Sequence, residues 1–137
     1  MTTPETKPQA NVQKVRSAID AFNRRDVDAM IELAGDDFEY DWSRSRGPNA
    51  GVYHGTGGFF EFITDQWEMF EDMRLEVHEY IPRGNHVVIT AEVRGSGRQG
   101  VPVSATSAHL YTFAEDGRLV RITLFQEREE ALAAARR

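Results

Sequence analysis

Apolar residues follow two rhythms along this chain. Val12, Val15, Ile19 and Phe22 recur every three or four positions, the spacing that gathers side chains on one face of a helix. The polar residues before them, with Pro4 and Pro8, predict a flexible N-terminal tail over 1–10 and a single domain over 11–137. Asn23 to Arg25 end the helix. Asp26 is placed to cap a short second helix carrying Val27, Met30, Ile31 and Ala34, which Gly35 closes. Phe38, Tyr40 and Trp42 then alternate with Glu39, Asp41 and Ser43, the period of a half-buried strand. Arg44 to Gly55 is rich in Gly, Pro, Ser and Arg and predicts a loop. Thr56 is expected to cap a third helix with Phe59, Ile63, Trp67 and Phe70 on one face.

Beyond Met73 the period is two. Leu75, Val77 and Ile81 mark a strand that ends at the turn sequence Pro82-Arg83-Gly84-Asn85. Glu79 interrupts its apolar face, which a bulge or a sheet-edge position would explain. Val87, Ile89, Ala91 and Val93 share a face of the next strand. A long strand follows from about Val101 to Ala114, then a hairpin turn at Glu115-Asp116-Gly117. Val120, Ile122 and Leu124 form the inward row of a last strand, and 127–137 reads as a helical tail. Helices and strands are segregated rather than alternating. This predicts an α+β fold with helices on one face of a curved antiparallel sheet. A concave sheet only partly covered by helices leaves room for a small-molecule pocket.

Composition narrows the function classes. The 137 residues suit one domain. There is no cysteine, so neither a disulfide nor a thiolate nucleophile is available. A net charge of −6 argues against a nucleic-acid partner. No run approaches the ~18 apolar residues of a membrane span, and the N-terminus lacks an apolar signal core. A cytoplasmic location is therefore expected, and the abundance of Arg and Ala suggests a bacterial source.

Few motifs carry chemistry. Gly95, Gly97 and Gly100 spell GxGxxG, but Val101 to Thr106 is plainly extended. The helix that would hold a pyrophosphate is missing, and a dinucleotide site is rejected. His54, His78, His86 and His109 show no metal-binding spacing, so no metal or cofactor is expected. His109 shares the inward face of the long strand with Ser107 and Tyr111. An inward imidazole beside an apolar pocket can act as an acid or base; the alternative is a structural core histidine. Tyr40, Trp42, Tyr53, Phe59 and Trp67 are candidates to line a flat apolar site, with ordinary core packing as the alternative. Asp41 falls on the opposite strand face and is expected to be exposed. Gln126, at the end of the last inward row, is placed to offer a hydrogen bond at the pocket rim.

These stretches together resemble a known family. AFNRRDVDAMIELAGDDFEYDW, VYHG, EYIPRGNHVVI, HLYTFAEDGRLVRI and FQEREEALAAA occur in this order between about Val12 and Ala134. In that respect the chain is similar to the SnoaL-like branch of the nuclear-transport-factor-2-like superfamily. The resemblance implies a cone-shaped α+β barrel: three N-terminal helices packed in a strongly curved mixed or antiparallel sheet enclosing a pocket. It also implies a homodimer formed through the outer sheet face, with which outward Ala108, Leu110 and Phe125 are compatible. Members include isomerases, polyketide cyclases, epoxide hydrolases, dehydratases and proteins that only bind.

Residue by residue, the resemblance is selective. The aspartate base of ketosteroid isomerases falls on Trp42, their tyrosine near Ala18 and their buried acid on His109. The charged set of limonene-type epoxide hydrolases falls on Ala91, Val93 and Leu124. The inward acid/base of SnoaL-type cyclases falls on His109. The resemblance therefore implies a cofactor-independent enzyme moving a proton on an apolar or polycyclic carbonyl compound. His109 would be the catalytic group, with Tyr40, Tyr53, Ser107 or Gln126 as its orienting partner. The alternative is a non-catalytic, dimeric ligand-binding or accessory protein of the same fold.

Overall fold

The computed structural model describes residues 7–45, 50–97 and 100–136. Helix α1 (Lys7–Arg24) begins inside the stretch expected to be a tail, because Pro8 lies in its first turn, where a missing N–H costs nothing. Arg25, at φ 60, takes the left-handed position that ends a helix. Asp26 caps α2 (Val27–Leu33) as expected: its side chain accepts from the N–H of Ala29 at 3.1 Å.

Gly35 does not close α2. The backbone is already extended at Ala34 (φ −93, ψ 145), and strand β1 (Ala34–Asp41) starts there. The expected loop after it contains a short strand, β2 (Val52–His54), which pairs antiparallel with β1. Helix α3 (Gly55–Met69) follows directly. Extended His54 precedes it, so Thr56 lies within the helix rather than capping it.

Strands β3 (Glu71–Arg83), β4 (His86–Ser96), β5 (Pro102–Phe113) and β6 (Leu119–Phe125) form the predicted meander. Gly84, at φ 57, supplies the left-handed residue of the β3–β4 turn. The six strands lie in the order β2-β1-β6-β5-β4-β3. All pairs are antiparallel except β1 with β6, so the sheet is mixed. It stays open, with β2 and β3 as edges.

Register shifts help to set which residues point inward. In β3 the register shifts between Val77 and Glu79, as its polar interruption suggested. Between β5 and β6, Thr112 faces Arg121 while Phe113 faces Leu119. Val120 is the extra residue, so Leu119 joins Ile122 in the inner core instead of Val120.

The sheet has apolar layers on both faces. Helices α1 to α3 cover the concave face, where Val15, Ile19, Phe38, Phe59 and Ile89 are buried. The Asn23 carboxamide ties α1 to edge strand β3: its oxygen accepts from Leu75 N–H at 2.8 Å and its nitrogen donates to Leu75 C=O at 3.0 Å. Helix α4 (Arg128–Ala135) covers part of the convex face. Its Ala131, Leu132 and Ala135 pack on Val88, Ala108, Leu110 and Phe125. Ala108, Leu110 and Phe125 lie on the outward face as expected and are buried there under the chain's own last helix. Arg128 anchors α4 across the β3 bulge, donating to Glu79 at 2.9 Å, while Thr90 donates to the same carboxylate at 3.0 Å.

Candidate functional site

The concave layer does not fill completely. A cavity of about 360 Å³ lies between the helices and the inner faces of the strands. Helix α1 contributes Ile19 and Phe22, α2 contributes Met30, and α3 contributes Phe59, Phe62 and Gln66. Across from them β5 supplies Ser107, His109 and Tyr111 from one alternating row. No Asp, Glu, Lys or Arg is among the described residues that line the cavity.

His109 points inward as expected and is 4% exposed. It sits between Ile89 of β4 and Leu124 of β6. Its Nε2 lies 3.1 Å from Ser107 Oγ, and the edge of its ring meets Trp42 with centroids 5.7 Å apart. Burial pushes its pKa down to about 4. The imidazole is therefore neutral at pH 7, with one nitrogen able to donate and the other to accept.

Tyr40 and Tyr111 are both buried in the cavity wall. Burial pushes both phenols well above their ordinary pKa, reinforced at Tyr40 by Tyr111 and at Tyr111 by Tyr80. Both stay protonated and remain hydrogen-bond donors. Gln126 lines the cavity and donates from Nε2 to Arg44 C=O at 2.7 Å. It pins the segment after β1 rather than standing free at a rim.

Asp41 lies on the face away from the cavity, as alternation predicts, but it is only 6% exposed. The Ser43 hydroxyl and N–H donate to it at 2.5 and 3.1 Å, and Arg121 does so at 3.2 Å. Burial pushes its carboxyl up, but the Ser43 bonds, Arg121 and the Arg44 charge outweigh this and hold it below the usual range. Asp41 is thus a buried anchor, not an exposed side chain. It holds the backbone next to Trp42.

Two expected ligand residues lie elsewhere. Trp67 faces a separate crevice with Asn23, Arg25 and Arg74. Its ring packs on Phe22 at 5.8 Å and lies under the Arg25 guanidinium at 5.4 Å. Tyr53, from edge strand β2, packs at a tilt against Phe62, centroids 4.9 Å apart, and is not among the residues that line the cavity. Tyr40, Trp42, Phe59, Ser107, His109, Tyr111 and Gln126 do come together there. The sequence reading missed Phe62 and Gln66. They flank the expected Phe59, Ile63 and Phe70, which also line the cavity, and the glutamine hides how far the buried face of α3 extends.

On the two sides of the glycine motif β4 pairs antiparallel with β5, Gly95 opposite Val103 and Ser96 opposite Pro102. Gly97 N–H donates to Val101 C=O at 2.7 Å, and strand β5 follows. Among the described residues no cluster of His, Asp or Glu is arranged to hold a metal ion, and no helix is long and apolar enough to cross a membrane.

Comparison with known proteins fits this geometry. The model of the SnoaL-like domain matches residues 15–122. The chain belongs to the SnoaL-like domain family. No curated protein matches it. Among solved structures, the SnoaL-like chain is similar to an NTF2-like protein of unknown function from Burkholderia pseudomallei. The two share 25% identity at a TM-score of 0.76, over 90% of this chain and 95% of that one. It is also similar to a candidate SnoaL-like polyketide cyclase from Jannaschia sp. (18%, TM-score 0.76, 98% and 97% covered). A third neighbour is a ketosteroid isomerase-like fold from Catenulispora acidiphila, in complex with trimethylamine (18%, TM-score 0.72, 98% and 94% covered). At these identities the neighbours establish the α+β NTF2-like cone for this SnoaL-like chain, and the site must carry the argument about function.

Proposed function

We propose that this SnoaL-like protein binds an apolar, carbonyl-bearing small molecule and promotes cyclase- or isomerase-type proton transfer on it without a cofactor. The observation that carries this reading is the neutral His109 imidazole in the wall of an otherwise apolar 360 Å³ cavity. A conjugate acid with a pKa of about 4 makes a weak base at pH 7. A neutral imidazole is still a good hydrogen-bond donor to a carbonyl oxygen that gains charge as an enolate forms. The low-dielectric surroundings strengthen that bond. His109 therefore polarises the carbonyl while water that enters with the ligand takes the adjacent C–H proton and returns one to carbon, and the reactive ligands are those whose own carbonyls already acidify that C–H bond.

The test is hydrogen–deuterium exchange next to the carbonyl of 1-tetralone and related flat ketones in D₂O, followed by NMR. The protein is expected to accelerate exchange, and His109→Ala to remove the acceleration while leaving the circular dichroism spectrum unchanged. Exchange at the wild-type rate in His109→Ala refutes the role of His109.

A second reading is a binding protein without chemistry. The absence of any carboxylate among the described lining residues favours it. Ligands would then be recovered from long incubations with neither deuterium nor rearrangement, as read by mass spectrometry.

A further inference from the structure

Three polar side chains of the cavity are not used by the reading above. Tyr40, Tyr111 and Gln66 are 7, 4 and 8% exposed, and all three line the cavity. Among the described residues none of these side chains has a hydrogen-bond partner. The indole N–H of Trp67 is also unpartnered, but it is sealed inside the protein. The two hydroxyls and the carboxamide instead open onto the cavity. Their partners therefore come from whatever occupies the cavity, and a ligand that displaces water there must replace those hydrogen bonds or lose affinity.

The strand register gives the trio a place. Tyr40 pairs with Ile122, and Ile122 pairs with Tyr111, so both tyrosines project inward from one cross-strand row. His109 lies in the neighbouring row, opposite Leu124. The row step along a strand is about 7 Å for two residues, roughly the width of one six-membered ring with its substituents. Gln66 projects from α3, one turn beyond Phe62, whose ring contacts Tyr40 at 4.9 Å. Burial keeps both phenols protonated, so they meet an acceptor rather than a cation.

We propose that Tyr40, Tyr111 and Gln66 form a second polar subsite one strand row from His109, and that the ligand class is a flat apolar molecule with two oxygen functions. Quinones, diketones and hydroxy ketones fit this description, with one oxygen at His109 and the other at the tyrosine pair. The inference rests on the carbonyl-binding reading and adds the second oxygen to it. Tyr40, Tyr111 and Gln66 act as specificity residues.

The experiment compares 1,4-naphthoquinone, 1-tetralone and naphthalene by titration of tryptophan fluorescence. The wild-type protein is expected to bind the two-oxygen probe about tenfold more tightly than the one-oxygen probe, the scale of one or two neutral hydrogen bonds. That comparison needs no variant. Tyr40→Phe and Tyr111→Phe should each shrink the gap and the double variant should erase it, with Gln66→Leu acting in the same direction. An unchanged circular dichroism spectrum in each variant reports an intact fold.

If wild type binds the two ketonic probes equally, or if the gap survives in the double variant, the subsite proposal is overturned. If 1-tetralone gains nothing over naphthalene, the carbonyl-binding reading itself fails. If it gains through His109 while the quinone gains no more, only the second subsite fails.

Discussion

Ser107 Oγ and His109 Nε2 stand 3.1 Å apart, two residues from each other on the same face of β5. The contact fixes the orientation of a ring that has Trp42 at its edge and Ile89 and Leu124 on the flanking strands. Ser107 is thus a positioning residue for His109. Ser107→Ala is expected to slow ketone exchange about tenfold, to change stability by under about 1 kcal/mol, and to move the ¹⁵N shifts of the His109 ring. Ser107→Thr, which keeps the hydroxyl, should restore most of the rate. Unchanged ring shifts in Ser107→Ala would count against the positioning role.

The buried imidazole ties stability to pH. His109 titrates at about 4 in the folded chain, against about 6.5 when unfolded. Between these values the unfolded chain binds a proton that the folded chain does not. The contribution is fully present above about pH 6.5 and is lost as pH falls towards 4, with a total of about 3 kcal/mol. His86, also pushed down by burial, acts with the same sign. Urea unfolding at about pH 7 and about pH 4.5 should show a smaller loss of stability in His109→Gln than in wild type. Equal losses would mean that His109 is not buried as described.

The two tryptophans separate the cavity from the neighbouring crevice. Trp42 lines the cavity and Trp67 does not. A ligand is expected to quench the fluorescence of Trp67→Phe, in which only Trp42 remains. It should leave the emission of Trp42→Phe nearly unchanged. The reverse pattern would move the ligand to the crevice beside Arg25.

Helix α4 should be held by its apolar face more than by its ion pair. Leu132 is 8% exposed on the convex layer, whereas Arg128 and Glu79 are about half exposed. Leu132→Ala is expected to cost about 2–3 kcal/mol. Arg128→Ala should shift the urea midpoint far less, because water screens the pair. A larger effect from Arg128→Ala would show that charge holds the helix in place.

Much of this architecture was legible because the chain's periods are clean. The strand alternation around Val87 and His109 assigned faces correctly, and the polar interruption at Glu79 marks a strand that is both bulged and at the sheet edge. Other features have no local signature. The parallel pairing of β1 with β6 joins distant segments, and β2 is too short for any rhythm to show. Val120 looked inward by strict alternation, until the bulge beside Phe113 exchanged it for Leu119. On α3, two helical series were equally regular. Both lie on one broad face: Phe59, Phe62, Ile63, Gln66 and Phe70 all line the cavity, and of the expected series only Trp67 does not. Alternation places Asp41 on the face away from the cavity but gives only a face, not what covers it. Its cover, Arg121, lies 80 positions further along the chain.

That same separation governs the order in which the molecule can be made. Strand β1 has only short β2 as a partner until β6 exists. As the chain leaves the ribosome, Phe38, Tyr40, Phe59 and Phe62 are all synthesised long before Ile122 and Leu124, which complete their wall. Closing such a distant contact is slow and leaves apolar surface uncovered in the meantime. The aromatic half of the cavity therefore waits for its own C-terminus, and the newborn chain is most vulnerable to aggregation just before its last strand arrives.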